Sequence, residues 1–184
     1  MKKFELISEF VTNVFGKKLF RIKALVSFGD VSAGELGGFV EKEENLSNNG
    51  NAWVSGNARV SGDARVSGDA LVSGNAQVSG NAQVSDNARV SGDAWVSGNA
   101  QVSGDADFSV VTGFGRCFRA TTFFRCKDKI LRVQCGCFYG DLAKFREIVK
   151  KTHGDSKYAK EYLAIADLME LHFSDEEENQ EADK

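Results

Sequence analysis

Small and hydrophobic residues recur along the middle of the chain with a period of six. Valine occupies every sixth position from Val54 to Val102, and alanine stands four residues after each of these nine valines. A period this short is too tight for helical repeats and predicts a coil of short parallel strands. Within each strand the alternation of side chains directs the valine inward and its two neighbours outward.

Each valine is followed by serine and then by a pair of residues suited to a corner. Glycine and Asn or Asp accept positive φ angles, and Asp86 is the single substitution of the corner glycine between residues 54 and 107. Asp tolerates that conformation better than most residues. The Val-x-x-x-Ala-x pattern resembles the hexapeptide repeat of left-handed parallel β-helix proteins, which include the hexapeptide acyltransferases. The resemblance implies three repeats for each triangular coil.

The corner residues give an independent reason to expect 18-residue coils. With that repeat the stacked columns are Asn57–Asn75–Asp93, Asp63–Asn81–Asn99 and Asn51–Asp69–Asn87–Asp105. No column places Asp on Asp, whereas coils of 12 or 24 residues would do so. Since an Asn amide donates to a carboxylate and like charges repel, the sequence favours the triangular coil.

The segments on either side of the repeat predict caps. Residues 4–28 read as a β-hairpin, and residues 36–53 as an irregular first coil with two extra residues before the strict register. After the repeat we expect a hairpin in TTFFRC-KDK-ILRVQC and two helices that start at Asp141 and Ser156. The acidic end is typical of a disordered tail. The predicted units are 1–35 (N-terminal β cap), 36–107 (β-helix), 108–174 (C-terminal α+β cap) and 175–184 (tail).

The predicted fold is therefore mainly β, a left-handed parallel β-helix of about four triangular coils between these two caps. Stacking sorts the outward residues into three faces. The first holds Trp53, Leu71 and Arg89, the second Arg59, Gln77 and Trp95, and the third Arg65, Gln83 and Gln101. The first two faces carry large apolar side chains. Exposed apolar residues indicate a contact surface. Since the resembled family is typically trimeric, we expect a homotrimer with its interface at Trp53, Leu71 and Trp95.

The coils lack the groups that the resembled enzymes require. An acyltransferase of this family is expected to carry a catalytic histidine on the coils and usually an extruded loop, but residues 54–107 contain no His, no Cys and no insertion. His153 and His172 fall at predicted helix ends, where capping is the ordinary role. We therefore expect no enzyme, no catalytic residues and no cofactor. The alternative is an acyltransferase whose histidine comes from the C-terminal cap.

Arginines and phenylalanines alternate in the segment that follows the repeat. Guanidinium groups pair with phosphate and aromatic rings stack on bases, so the segment favours an anionic nucleotide-type ligand. The predicted ligand-binding residues are Arg116, Arg119, Arg125, Arg132, Phe118 and Phe124. A solvated basic face over a phenylalanine core explains the pattern equally well. The cluster Cys117, Cys126, Cys135 and Cys137 lacks the spacing of common zinc sites, so we expect no metal.

Charge and composition narrow the partners further. The net charge of −3 argues against duplex nucleic acid, and no segment has the length and apolarity of a membrane span. The start lacks the apolar core of a signal peptide, so we expect a cytoplasmic protein with reduced thiols. The whole-chain arrangement resembles hexapeptide-repeat proteins carried by bacteriophages and prophages. That resemblance implies a binding role, with sequestration of a defence signal or docking of a host protein as the possibilities.

Overall fold

The computed structural model describes residues 2–104 and 107–174 and has a mainly β fold. A β-solenoid of about four turns forms its centre, and two helices lie near the C-terminus. The first coil contains β3 (Leu36–Val40) and a short 3-10 helix (Glu43–Asn45). The later strands have two residues each: β4 (Trp53–Val54), β5 (Arg59–Val60), β6 (Arg65–Val66), β7 (Leu71–Val72), β8 (Gln77–Val78), β9 (Gln83–Val84), β10 (Arg89–Val90), β11 (Trp95–Val96) and β12 (Gln101–Val102).

The strands stack in parallel with the predicted 18-residue spacing. Three sheets result, in the orders β4-β7-β10, β3-β5-β8-β11 and β6-β9-β12. Val54 pairs with Val72, which pairs with Val90, and every repeat valine is buried. Burying one valine contributes about 1.5–3 kcal/mol, so these columns are the main stabilising element. In the first coil Val40 pairs with Val60, an offset of 20 that confirms the two extra residues.

The corner columns form the predicted side-chain ladders. Nδ2 of Asn51 donates to Oδ1 of Asp69 across 2.9 Å. The amide of Asn75 likewise donates to the carboxylate of Asp93. Asp86 adopts the expected positive φ of 53°. Asp105, the predicted end of one column, lies outside the described residues.

The N-terminal segment packs against the first coils as a β-hairpin. Strands β1 (Phe4–Thr12) and β2 (Lys18–Ala24) pair antiparallel, and β2 continues antiparallel onto β3 of the solenoid. The expectation that Trp53 is exposed on a coil face is wrong. Its side chain is 2% exposed because the ring of Phe28 packs edge-on against it at 5.5 Å. Trp53 is therefore part of the core and not an exposed contact residue.

The C-terminal segment forms a sheet followed by two helices. The predicted hairpin is present as β14 (Thr121–Arg125) and β15 (Leu131–Cys135), flanked by β13 (Phe108–Val111) and β16 (Phe138–Asp141) in an antiparallel sheet. Helix α1 (Leu142–His153) and helix α2 (Lys157–His172) have Asp141 and Ser156 as N-caps, as predicted. The expected acidic tail, 175–184, lies outside the described residues.

This sheet, which we call the cap sheet, separates the solenoid from the helices. Phe124 and Cys126 belong to the solenoid core, whereas Phe123 and Val133 pack with α1 and α2. Neighbouring strand residues thus face opposite layers, as the pleat requires. Neither helix in the described part of the chain is long and apolar enough to span a membrane.

Candidate functional site

A small pocket lies between the cap sheet and the two helices, with a volume of about 240 Å³. Three of the four cysteines line it, so we call it the cysteine pocket. Its apolar wall comes from the β16 start and the helices, and its mouth carries two of the predicted arginines. Its lining includes Arg116, Cys117, Arg119, Cys135, Cys137, Phe138, Phe145, Ile148, His153 and Tyr162.

A tight turn between β15 and β16 places two of the cysteines. Cys135 pairs with Phe138, so Gly136 and Cys137 form the two-residue turn, with φ of 58° at the glycine. Cys137 is therefore exposed in a turn and does not continue the strand face of Cys135. A Cβ atom at Gly136 would lie 2.6 Å from Nη1 of Arg119. The glycine thus lets the Arg119 guanidinium lie across the turn.

Tyr162 of α2 forms the floor of the cysteine pocket. Its hydroxyl lies against Gly115, where a Cβ atom would overlap it, and its ring packs edge-on against Phe145 at 5.8 Å. Burial, together with the smaller effect of the neighbouring Cys135, raises the pKa of Tyr162 to about 12. The phenol is therefore neutral at physiological pH. The ring of His153, in the last turn of α1, lies 5.8 Å from that of Tyr162.

The predicted arginines divide between different environments. Arg116 and Arg119 are exposed at the pocket mouth, and neither has an ion-pair partner among the described residues. Arg125 donates to the carbonyl oxygen of Phe173 across 2.8 Å and lies over its ring. Arg132 pairs with Asp128 at 2.6 Å on the solenoid side of the cap sheet. The structure thus brings only two of the four arginines together.

The two predicted aromatic ligand residues differ from each other. Phe118 is 71% exposed and has a positive φ of 51°, which is unusual for a bulky residue. Phe124 is fully buried in the solenoid core, so the prediction that it stacks on a ligand is wrong. The side chains of β14 alternate between its two faces, and the side chain of Phe124 lies on the face toward the solenoid. There it packs over the last coil, which excludes solvent.

The cysteines do not assemble with other donors. Among residues 2–104 and 107–174, no three His, Cys, Asp or Glu side chains come together as a metal site. Cys126 lies apart from the other three in the solenoid core, where burial raises the pKa of its thiol. Sequence reasoning missed Tyr162 and Phe138 as pocket walls. In the sequence, Tyr162 is marked only by its helical spacing and Phe138 only by a segment of β-rich composition. Both features are equally typical of an ordinary core.

Comparison with known proteins agrees with the solenoid. A family model described as the YdcK beta-solenoid repeat matches residues 52–67, 64–80 and 82–98. These stretches lie within the stacked six-residue repeats, so sequence and structure together define a β-helix repeat protein. A search of curated proteins gave no match.

Proposed function

We propose that this protein is a non-catalytic binding protein that captures an anionic nucleotide-type molecule in the cysteine pocket. The observation that carries the proposal is a pair of exposed arginines, without an ion-pair partner in the part of the chain that the structure describes, at the mouth of an apolar hollow. Guanidinium groups bind phosphate bidentately, and charge-assisted hydrogen bonds are the strong ones. An apolar hollow beside them suits the flat face of a base.

The size of the pocket indicates which part of the ligand it holds. At about 240 Å³ it is smaller than the roughly 300–1,000 Å³ of typical drug-sized sites. One base therefore fills it, between Phe138 and Tyr162, while the phosphate groups stay outside with the arginines. The exposed ring of Phe118 lies between Arg116 and Arg119 in sequence and offers a further stacking surface.

Titration calorimetry with linear and cyclic nucleotides tests this function. We expect heat with at least one of them, and a loss of affinity of about tenfold or more in Arg116→Ala and in Arg119→Ala, because each hydrogen bond to a charged group contributes about 1.5–3 kcal/mol. Arg89→Ala is the matched control, since Arg89 is also exposed but lies on a coil face. Absence of heat throughout, or equal affinity in all variants, would remove the proposal.

The proposed role of the protein is to sequester this ligand. It would do so as a phage-encoded homotrimer in the host cytoplasm. Self-association is supported by the second coil face, where Trp95 is half-buried and shares a hollow with the hairpin tip, Val14 and Phe15. Leu71 on the first face is also half-buried and stays a predicted contact.

A second candidate function rests on His153, which lines the same pocket as three thiols. An imidazole beside a ligand pocket is the group that a cap-derived acyltransferase needs as a general base. Turnover of acetyl-CoA that disappears in His153→Ala but persists in His172→Ala would favour this function. Nucleotide binding without turnover would favour the first.

A further inference from the structure

A polar groove follows the sheet formed by β6, β9 and β12, on the side of the cap sheet away from the cysteine pocket. It consists of two hollows of about 480 and 600 Å³ that share Gln83. One extends past Gln101 to Tyr139 of the cap sheet, and the other extends past Arg65 to the 3-10 helix. The groove therefore runs along this whole face of the solenoid.

Two side-chain amides in the groove have no hydrogen-bond partner among the residues that the structure describes. The side-chain amides of Gln83 and Gln101 make no hydrogen bond to any described residue. A primary amide supplies two donors and an acceptor. Gln83 and Gln101 are aligned on neighbouring coils. The groove therefore favours a ligand that offers both donors and acceptors, such as one rich in hydroxyl groups.

The charges along the groove balance. Its lining includes three acids, Glu43, Glu44 and Asp128, and three bases, Arg65, Lys127 and Arg132. Two of these are already paired with each other, since Arg132 contacts Asp128 at 2.6 Å. Such a lining provides no net field to attract a polyanion. The favoured occupant is therefore polar but uncharged.

The spacing of the groove residues adds a second, independent criterion. Outward residues on successive parallel strands are about 4.8 Å apart. This distance is close to the length of one sugar ring in a linear chain, so Gln83 and Gln101 can contact successive sugars. At the end of the groove, the 43% exposed ring of Tyr139 offers an apolar face to the C–H side of a sugar.

From these features we infer that the groove along β6, β9 and β12 binds a neutral oligosaccharide. The amides of Gln83 and Gln101 would donate and accept hydrogen bonds, and the ring of Tyr139 would stack on a sugar. This site lies on the opposite side of the cap sheet from the cysteine pocket. It takes a different class of ligand, so the inference does not depend on nucleotide binding.

Side-chain amide NMR signals of the full-length protein provide the test, with cellotetraose, chitotetraose and tetragalacturonate as probes. We expect a neutral tetrasaccharide to shift the amide signals of Gln83 and Gln101. The double variant Gln83→Ala/Gln101→Ala lacks these two signals, so its affinity and that of Tyr139→Phe are measured by titration calorimetry. The first variant tests the amide hydrogen bonds, and the second, which keeps the ring, tests whether the hydroxyl of Tyr139 contributes. Affinity should fall about tenfold or more in the first, as expected for two lost hydrogen bonds, and little in the second.

Gln77→Ala is the matched control, since Gln77 occupies the same repeat position on another face and is similarly exposed. It should bind the saccharide like the unmodified protein. The inference fails if neither neutral tetrasaccharide moves the signals, if the double variant binds unchanged, or if Gln77→Ala weakens binding equally. Stronger binding of tetragalacturonate than of both neutral probes would also overturn it, because it would show a cationic site.

Discussion

The side-chain amide of Asn75 donates a hydrogen bond to Oδ1 of Asp93 across 3.0 Å, one coil further along the solenoid. The two residues are 18 apart, so the contact exists only because three six-residue repeats make one turn. With Asn at position 75, the carboxylate of Asp93 lies next to an amide donor and not next to a second carboxylate. Corner composition thus specifies the coil register as well as the turn.

Asn75→Asp should therefore destabilise the protein. It replaces a donor by a second carboxylate about 3 Å from Asp93, which loses one hydrogen bond and adds repulsion, at a combined cost of about 1–2 kcal/mol. Chemical denaturation at pH 7 measures the loss. Asn99→Asp is the control, because Asn81 already donates to Oδ1 of Asn99 across 3.2 Å and keeps that bond. An equal loss in both variants would contradict the role of the pairing.

The corner glycines predict a second contrast. Gly68 and Gly92 both have a φ of 67°. A Cβ atom added at Gly68 would lie 2.7 Å from the backbone nitrogen of Asp86, whereas one added at Gly92 would have no atom of the described residues within 4 Å. Gly92→Ala should cost about 1–2 kcal/mol, the penalty for a left-handed conformation. Gly68→Ala should cost distinctly more because the coils must also move apart. Urea denaturation of the two variants compares them directly, and similar midpoints would show that coil spacing yields easily.

The repeat was predictable in detail because every determinant of a coil lies within 18 residues. Period, corner residues and alternation are local, and they correctly placed the valines, the ladders and Asp86. Trp53 was misplaced because it is covered by Phe28, which no local pattern links to it. The cysteine pocket was likewise unpredictable. Its arginines, turn and helix floor come from three separate segments, and only the packing of α2 closes it.

Lys3 gives a pH-dependent prediction. Its ammonium group is buried, donates to the carbonyl oxygen of Ala52 across 2.8 Å and lies 4.5 Å from the ring centre of Phe28. Burial lowers the pKa of Lys3 to about 8. Between pH 8 and the unfolded value near 10.5, the unfolded chain binds more protons than the folded one, so this residue makes stability rise with pH.

The free energy of unfolding should therefore gain on the order of 1–2 kcal/mol from Lys3 between pH 7.5 and pH 10. In Lys3→Met this rise should be absent, and the variant should be less stable at pH 7.5 because two carbonyl groups lose their donor. Lys2→Met serves as the control, since Lys2 makes an exposed ion pair with Glu43. The same slope in Lys3→Met as in the unmodified protein would refute the assignment.

The second coil face is the surface through which we expect the protein to self-associate. The second coil face combines the half-buried Trp95 with the hairpin tip, where Val14 and Phe15 are 89% and 82% exposed. Large apolar side chains so exposed and so close together favour contact with another chain. We expect sedimentation equilibrium to give a trimer, and Phe15→Ser combined with Trp95→Glu to shift it toward monomer. Leu168→Ser, which changes an exposed leucine on α2, should leave the mass unchanged. A monomeric unmodified protein, or a trimer that survives the double substitution, would exclude this face as the interface.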